Sequence, residues 1–222
     1  MQNRINNNYW QPQPYIENLH FEESQIYHVY NRANGSELLF RNDNNYYFFL
    51  RKIKQYISPV CTIYALCLMP NHFHLLIRIK EKKEVLDFIK SEENKIKSDE
   101  ENFCMHEITS MQFRRLQISY AKALNKQLSR KGSLFIQNIK RRNIDSDQYF
   151  FNVLDYIHNN PVNSGFSYRA GDWKFSSFNS MVNDKGCCSG WIARDELIAI
   201  CGGQSELKII LTNKIGSLSA AY

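Results

Sequence analysis

The chain has 222 residues, of which 43% are hydrophobic and 23% charged, values that are ordinary for a globular protein and exclude collagen-like or wholly disordered chains. Lysine and arginine total 28 against 22 acids, and the resulting net charge of +6 is a weak indication of a nucleic-acid partner. No uncharged apolar run approaches the ~20 residues that cross a bilayer, and the polar first twenty residues lack the apolar core of a signal peptide. We therefore expect a soluble, cytoplasmic protein with no membrane partner.

The first part of the chain predicts a strand, a helix and a hairpin. Residues 25–31 are rich in β-branched and aromatic side chains, which favour a strand. Residues 42–57 carry apolar side chains at spacings of three and four, which indicates an amphipathic helix. Two apolar runs, residues 60–69 and 72–80, are separated only by Pro70 and Asn71, so we expect a hairpin of two strands.

The next part predicts a charged segment, a helix, a short strand and a second helix. Residues 81–101 form a solvated helix or an insertion, and residues 111–128 show helical spacing again. Residues 133–136 can form a short strand, and a capped helix should follow over residues 148–160. Pro161 is expected to stop that helix.

This order of elements matches an α/β (α+β) fold, a ferredoxin-like βαββαβ sandwich with an antiparallel sheet and an additional helix behind it. We predict an N-terminal arm at residues 1–20 and a main domain at residues 21–178, with a charged insertion at residues 81–107. A C-terminal helical extension should occupy residues 179–222.

A pair of histidines, His72 and His74, flanks Phe73 in the predicted second strand of the hairpin. Residues i and i+2 of a strand point to the same face, so both imidazoles can converge on one point. Neutral imidazoles are suitable ligands for a divalent cation. Taken alone, the motif fits histidines on a hydrogen-bonded sheet face without metal somewhat better.

Near the end of the last predicted helix, Tyr156 and Asn160 lie four residues apart and therefore share one helical face. A tyrosine can form a covalent intermediate, and the carbonyl oxygen of Asn160 could be a third ligand to a metal held by His72 and His74. The chain contains thirteen tyrosines, most of which are expected to be packing residues, and an asparagine before a proline commonly ends a helix. Taken alone, Tyr156 and Asn160 are therefore weak evidence for a catalytic site.

Positive charge is concentrated in residues 114–144, which contain nine cations and no acid. Clustered cations suit a phosphate backbone, although a solvated basic face explains them equally well. The candidate DNA-binding residues are Arg114, Arg115, Lys122, Lys126, Arg130, Lys131, Lys140, Arg141 and Arg142.

Together these features resemble the single-tyrosine HUH transposases, a group that includes the insertion-sequence-200-like transposases. The likeness is strongest to the transposase-like proteins associated with repetitive extragenic palindromes (REP). It depends on four stretches in order: YHVYNRANGSELLF, CLMPNHFHLLI, GSLFIQNIKRR, and YIHNNPVNSGF followed by DWKFSSF. These stretches extend over residues 27–178. Their conjunction favours a metal at His72 and His74.

The resemblance implies a ferredoxin-like fold, Mg²⁺ or Mn²⁺ as cofactor, single-stranded or hairpin DNA as substrate, and a homodimer in the insertion-sequence branch. Residues 21–178 become the catalytic domain, His72 and His74 the histidine motif, and Tyr156 the nucleophile. Asn160 matches a polar position one turn after that tyrosine. The enzyme would cleave and rejoin DNA through a 5′-phosphotyrosine.

Two alternatives stay open at this stage. The chain could be a domesticated nucleic-acid-binding protein without transposition activity, or a metal-dependent hydrolase of another phosphodiester in which Tyr156 is structural. Rep-type initiators and relaxases fit less well, because they often carry paired tyrosines or a third histidine near the motif.

Overall fold

The computed structural model describes residues 19–91 and 103–212. Most of the expected arm, residues 92–102 of the charged insertion and the last ten residues lie outside the described part. A four-stranded antiparallel sheet forms the centre of the molecule, with strands β1 (Ile26–Arg32), β2 (Cys61–Met69), β3 (His72–Ile79) and β4 (Lys140–Ile144). The strand order in the sheet is β2-β3-β1-β4.

Two helices cover one face of this sheet and a third covers the other, which is the predicted ferredoxin-like sandwich with an additional helix behind it. The four larger helices are α1 (Asp43–Tyr56), α2 (Lys82–Ser91), α3 (Met105–Gln127) and α4 (Asp147–Asn163). The C-terminal region adds α5 (Phe178–Asn183), α6 (Arg194–Cys201) and α7 (Gln204–Thr212). None of the helices in the described ranges is both long and apolar enough to span a membrane.

The alternation of β3 separates the core from the candidate site. The buried ring of Phe73 lies 5.1 Å from the ring of Phe49 on α1, and Phe49 in turn contacts Tyr120 on α3. His74 points to the opposite face, where its ring lies 5.3 Å from the ring of Tyr156 on α4. Helices α1 and α3 therefore cover one face of the sheet, and α4 covers the other.

The predicted strand at residues 133–136 is wrong, because the fourth strand is Lys140–Ile144. Phe135 forms only an isolated bridge with Ala33, beyond the end of β1. The backbone then turns through Asn138, whose φ is +63°, and a regular ladder begins at Lys140. The real strand is a charged edge strand with a single buried residue, so it lacks the apolar pattern that identifies buried strands.

Pro161 does not stop α4, which continues to Asn163. Proline lacks an N–H and costs a helix one hydrogen bond, but here it lies in the last turn. The helix closes in a Schellman motif, in which the N–H of Gly165 bonds to the carbonyl of Val162 and that of Phe166 to the carbonyl of Pro161. Gly165 adopts a φ of +75°, the left-handed conformation that this motif requires.

Two further segments pack more closely than their composition suggests. Helix α2 lies in the charged segment that the sequence indicates as solvated, yet it buries Val85 and Ile89.

After α4, residues 175–177 run along the outer edge of β2, where the N–H of Ser177 bonds to the carbonyl of Leu66. This contact braces the strand that lies beside the histidine-bearing β3.

Candidate active site

The histidines of β3 belong to two cross-strand rows on the face covered by α4. His74 pairs with Tyr30 on β1 and with Cys67 on β2, and His72 pairs with Arg32 on β1. Directly opposed residues in a sheet project to the same side, so Tyr30 and Arg32 join the two histidines on one surface.

The predicted trio of His72, His74 and Asn160 comes together in the folded chain. The amide of Asn160 bridges the two imidazoles, with its Oδ1 3.1 Å from Nε2 of His72 and its Nδ2 3.4 Å from Nε2 of His74. His74 and Asn160 are buried, whereas His72 is half-buried beside the hairpin turn. Burial lowers the pKa of both histidines and so favours the neutral form that binds metals.

Hydrogen bonds on the far side of each ring direct the Nε2 lone pairs toward one another. Both ring nitrogens of His72 face amide oxygens, with Nδ1 2.7 Å from Oδ1 of Asn71 and Nε2 3.1 Å from Oδ1 of Asn160, so the neutral ring can donate to only one of them. In the tautomer with the proton on Nδ1, the Nε2 lone pair is available to a cation. Nε2 of His74 accepts from the amide of Asn160, so its proton is on Nδ1. Two imidazole nitrogens and an amide oxygen thus converge, a donor set that fits a divalent cation.

The side-chain amide of Asn160 is important because, in the part of the chain that the structure describes, few other metal-binding side chains lie near the two histidines. In the described residues, no group of three or more histidine, cysteine, aspartate or glutamate side chains is arranged to hold a metal ion. A metal at this position would therefore depend on Asn160 as its third protein ligand.

His28 on β1 supports the site, and the sequence analysis did not identify it. Its Nε2 lies 2.9 Å from Nδ1 of His74, and its ring is buried. Burial, with a contribution from the charge of Arg142, lowers the pKa of His28 to about 3, so the ring is neutral and can accept a hydrogen bond from Nδ1 of His74. The sequence pattern that could have identified His28 is the alternation along β1, which places His28, Tyr30 and Arg32 on one face.

Tyr156 on α4 stands over this group of histidines. Its ring lies 5.3 Å from His74 and 5.9 Å from His28, edge-on to both. Burial and the neighbouring Tyr30 raise the pKa of its phenol, although a hydrogen bond with Asn160 opposes the shift. The hydroxyl is therefore protonated at neutral pH and must lose its proton to act as a nucleophile.

His72, His74 and Tyr156 line a cleft of about 540 Å³. Lys140 and Arg32 provide positive charge along its walls, while Leu38 and Phe166 add apolar surface. A cleft of this composition can hold a phosphodiester at its polar end and an apolar group at its mouth.

The nine predicted DNA-binding cations are not brought together. Four are on α3, on the sheet face opposite the cleft: Arg114, Arg115, Lys122 and Lys126. Arg130 forms an ion pair with Glu37, and Lys131 is exposed in the loop that follows α3. On β4, Arg141 packs over the ring of Phe21 at 4.5 Å, while Lys140 and Arg142 share the face of the histidines.

Comparison with known proteins agrees with the sequence motifs. The chain is 26% identical over 148 residues to a Haemophilus influenzae protein named "Putative REP-associated tyrosine transposase", an alignment that covers 65% of this chain and 69% of that protein. No protein-family profile matches the sequence. A solved structure titled "Structure of the REP associates tyrosine transposase bound to a REP hairpin" superposes with a TM-score of 0.52 and 18% identity.

That superposition covers 78% of this chain and 85% of the other, so most of the two folds correspond. The resemblance to REP-associated tyrosine transposases predicted from the four motif stretches is thus confirmed by sequence similarity, and the fold is shared.

Proposed function

We propose that this transposase-like chain binds hairpin or single-stranded DNA and cleaves and rejoins one strand through a 5′-phosphotyrosine on Tyr156. The observation that carries the proposal is the position of Tyr156 beside the His72–His74–Asn160 trio, at the base of a cleft with cationic walls. The solved transposase that shares this fold is bound to a REP hairpin, which supports hairpin DNA as the substrate class.

In the proposed reaction, Oη of Tyr156 forms a bond to the phosphorus of the scissile phosphodiester, and the bond from phosphorus to the 3′ oxygen breaks. The phenol loses its proton, and the departing 3′ oxygen takes up a proton, so the overall charge is unchanged. Rejoining is the reverse attack by a 3′ hydroxyl. The phosphotyrosine conserves the energy of the broken bond between the two steps.

His72, His74 and Asn160 would hold Mg²⁺ or Mn²⁺, which supplies Lewis-acid polarisation of a phosphate oxygen. The chain itself contributes orientation: His28 fixes the ring of His74, and Asn71 fixes that of His72. Arg32 and Lys140 would neutralise phosphates on either side of the scissile bond.

The test is formation of a denaturant-resistant protein–DNA adduct with Mn²⁺ and hairpin oligonucleotides copied from palindromic repeats of the host genome. Tyr156→Phe should abolish the adduct. Tyr30→Phe is the matched control, because Tyr30 lines the same cleft and its ring lies 5.8 Å from His74, yet it should retain the adduct.

Adduct formation by Tyr156→Phe at the wild-type level would refute the assignment of the nucleophile. Hairpin binding by the wild-type protein without any adduct would instead support the domesticated DNA-binding alternative. Hydrolysed product without an adduct would support the hydrolase.

A further inference from the structure

The mouth of the cleft carries an exposed aromatic side chain that the proposed chemistry does not use. Phe166 lines the cleft and is 53% exposed, and Leu38, on the same cleft, is 40% exposed. Single exposed apolar residues are common on protein surfaces. Here, however, two of them share a concave surface with the cations Arg32 and Lys140, an arrangement that suits a ligand with both a planar apolar part and a phosphate.

Phe166 is held firmly despite its exposure. The Schellman motif fixes its backbone, with its N–H bonded to the carbonyl of Pro161 at 2.8 Å. Its ring lies 5.7 Å from the ring of Trp173, at an interplanar angle of 60°. Trp173 is itself anchored, because its indole N–H donates to the carbonyl of Leu68 on β2 at 3.0 Å. The aromatic surface of Phe166 is therefore preorganised beside the site.

We propose that Phe166 is a stacking platform for an unpaired nucleobase next to the phosphate that the histidine end of the cleft would hold. The proposal rests on the proposed function and adds a base-binding subsite to it. An aromatic ring stacks on any base, and the adjacent Arg32 and Lys140 neutralise the backbone of the same strand. The subsite thus selects single-stranded DNA over duplex, because a paired base cannot offer a free face.

The first test measures binding of a fluorescent single-stranded oligonucleotide by anisotropy in the presence of EDTA, so the readout does not depend on catalysis. Removing a stacking ring costs about 1–3 kcal/mol, so Phe166→Ala should weaken binding roughly 5- to 150-fold. Phe166→Leu should weaken it similarly, whereas Phe166→Trp should bind at least as well as the wild type. Tyr168→Ala is the matched control, since Tyr168 is 96% exposed and does not line the cleft.

The second test moves an abasic site along the oligonucleotide. In the wild type, one position should show a loss of affinity comparable to that of Phe166→Ala, and the Phe166→Ala variant should lose nothing further at that position. Wild-type affinity in Phe166→Ala, or identical abasic profiles in the two proteins, would overturn the stacking subsite while leaving the nucleophile assignment standing. A wild-type protein that binds the hairpin but no single strand would overturn the stacking subsite alone, and one that binds neither would overturn both proposals.

Discussion

Nδ1 of His74 lies 2.9 Å from Nε2 of His28, and both rings are buried. The contact joins β3 to β1 and holds the ring of His74 in one orientation. When Nδ1 of His74 donates to His28, the lone pair of Nε2 points toward Asn160 and His72. A residue outside the HFH motif therefore determines how that motif presents its nitrogens.

We predict that His28→Ala lowers the affinity for Mn²⁺ by 10- to 100-fold, the usual effect of removing a hydrogen-bond partner of a metal-bound histidine. Isothermal titration calorimetry on the protein without DNA measures this directly. His28→Asn, which can still accept a hydrogen bond, should recover part of the affinity. His20→Ala is the control, because His20 is an exposed ring that stacks on His106. Equal affinity in His28→Ala and the wild type would exclude the positioning role.

The separation of the cations between two sheet faces predicts unequal effects on binding of a short single strand. Removing two cations that each neutralise a DNA phosphate reduces the slope of log affinity against log salt concentration by about 1.4 for single-stranded DNA. The double variant Arg32→Gln/Lys140→Gln should show this reduction, since both residues line the cleft. The double variant Lys122→Gln/Lys126→Gln on α3 should keep the wild-type slope. Equal reductions would mean that DNA contacts both faces of the sheet.

Arg130 is predicted to stabilise the fold rather than to bind DNA. Its guanidinium pairs with Glu37 and also donates to Oδ1 of Asn125 and to the carbonyl of Ser133, so it fastens the end of α3 to the loop after β1. Its side chain is 15% exposed and that of Glu37 is 34% exposed. Arg130→Gln should cost about 1 kcal/mol and lower Tm by about 2–4 °C.

The neighbouring Lys131, which is exposed, provides the control for this experiment. Lys131→Gln should leave Tm unchanged in a thermal melt. Should Arg130→Gln melt like the wild type but weaken DNA binding, the structural role would be wrong.

Substitutions at Gly165 test whether the turn after α4 positions Phe166. A side chain at its φ of +75° costs about 1–2 kcal/mol, and no atom lies within 4 Å of an added Cβ, so the cost is conformational. Gly165→Ala should lower Tm by several degrees and weaken single-strand binding. Gly165→Asn should lose less, because asparagine tolerates this conformation better. Similar losses for alanine and asparagine would point to a cause other than backbone strain.

The sequence predicted those parts of the site that depend on local geometry. Alternation along β3 correctly gave His72 and His74 a common face, and helical spacing correctly placed Tyr156 and Asn160 together on α4. The order of strands and helices was sufficient to predict the ferredoxin-like sheet, because a short hairpin and two crossover helices leave few possible sheet topologies.

Features that depend on long-range pairing were missed. His28 becomes part of the site only because β1 pairs with β3, 46 residues later in the chain. Lys140 was among the predicted DNA-binding residues, but its strand was not predicted, because a charged edge strand has no apolar pattern; it reaches the cleft because β4 pairs with the other edge of β1. The cations of α3 are continuous in sequence with those of β4, yet the sheet lies between the cations of α3 and Lys140 and Arg142 of β4.

The proposed nucleophile and the proposed metal ligands all lie on regular elements, His72 and His74 on β3, and Tyr156 and Asn160 on α4. Their spacing is therefore set by the packing of one helix against one hairpin, and the connecting loops do not contribute a reacting group. A loop at the rim of the cleft, such as the one that carries Leu38, can change in length or composition without displacing these atoms. Such a scaffold can acquire a new DNA target by loop divergence while the geometry of the proposed strand-transfer site stays intact.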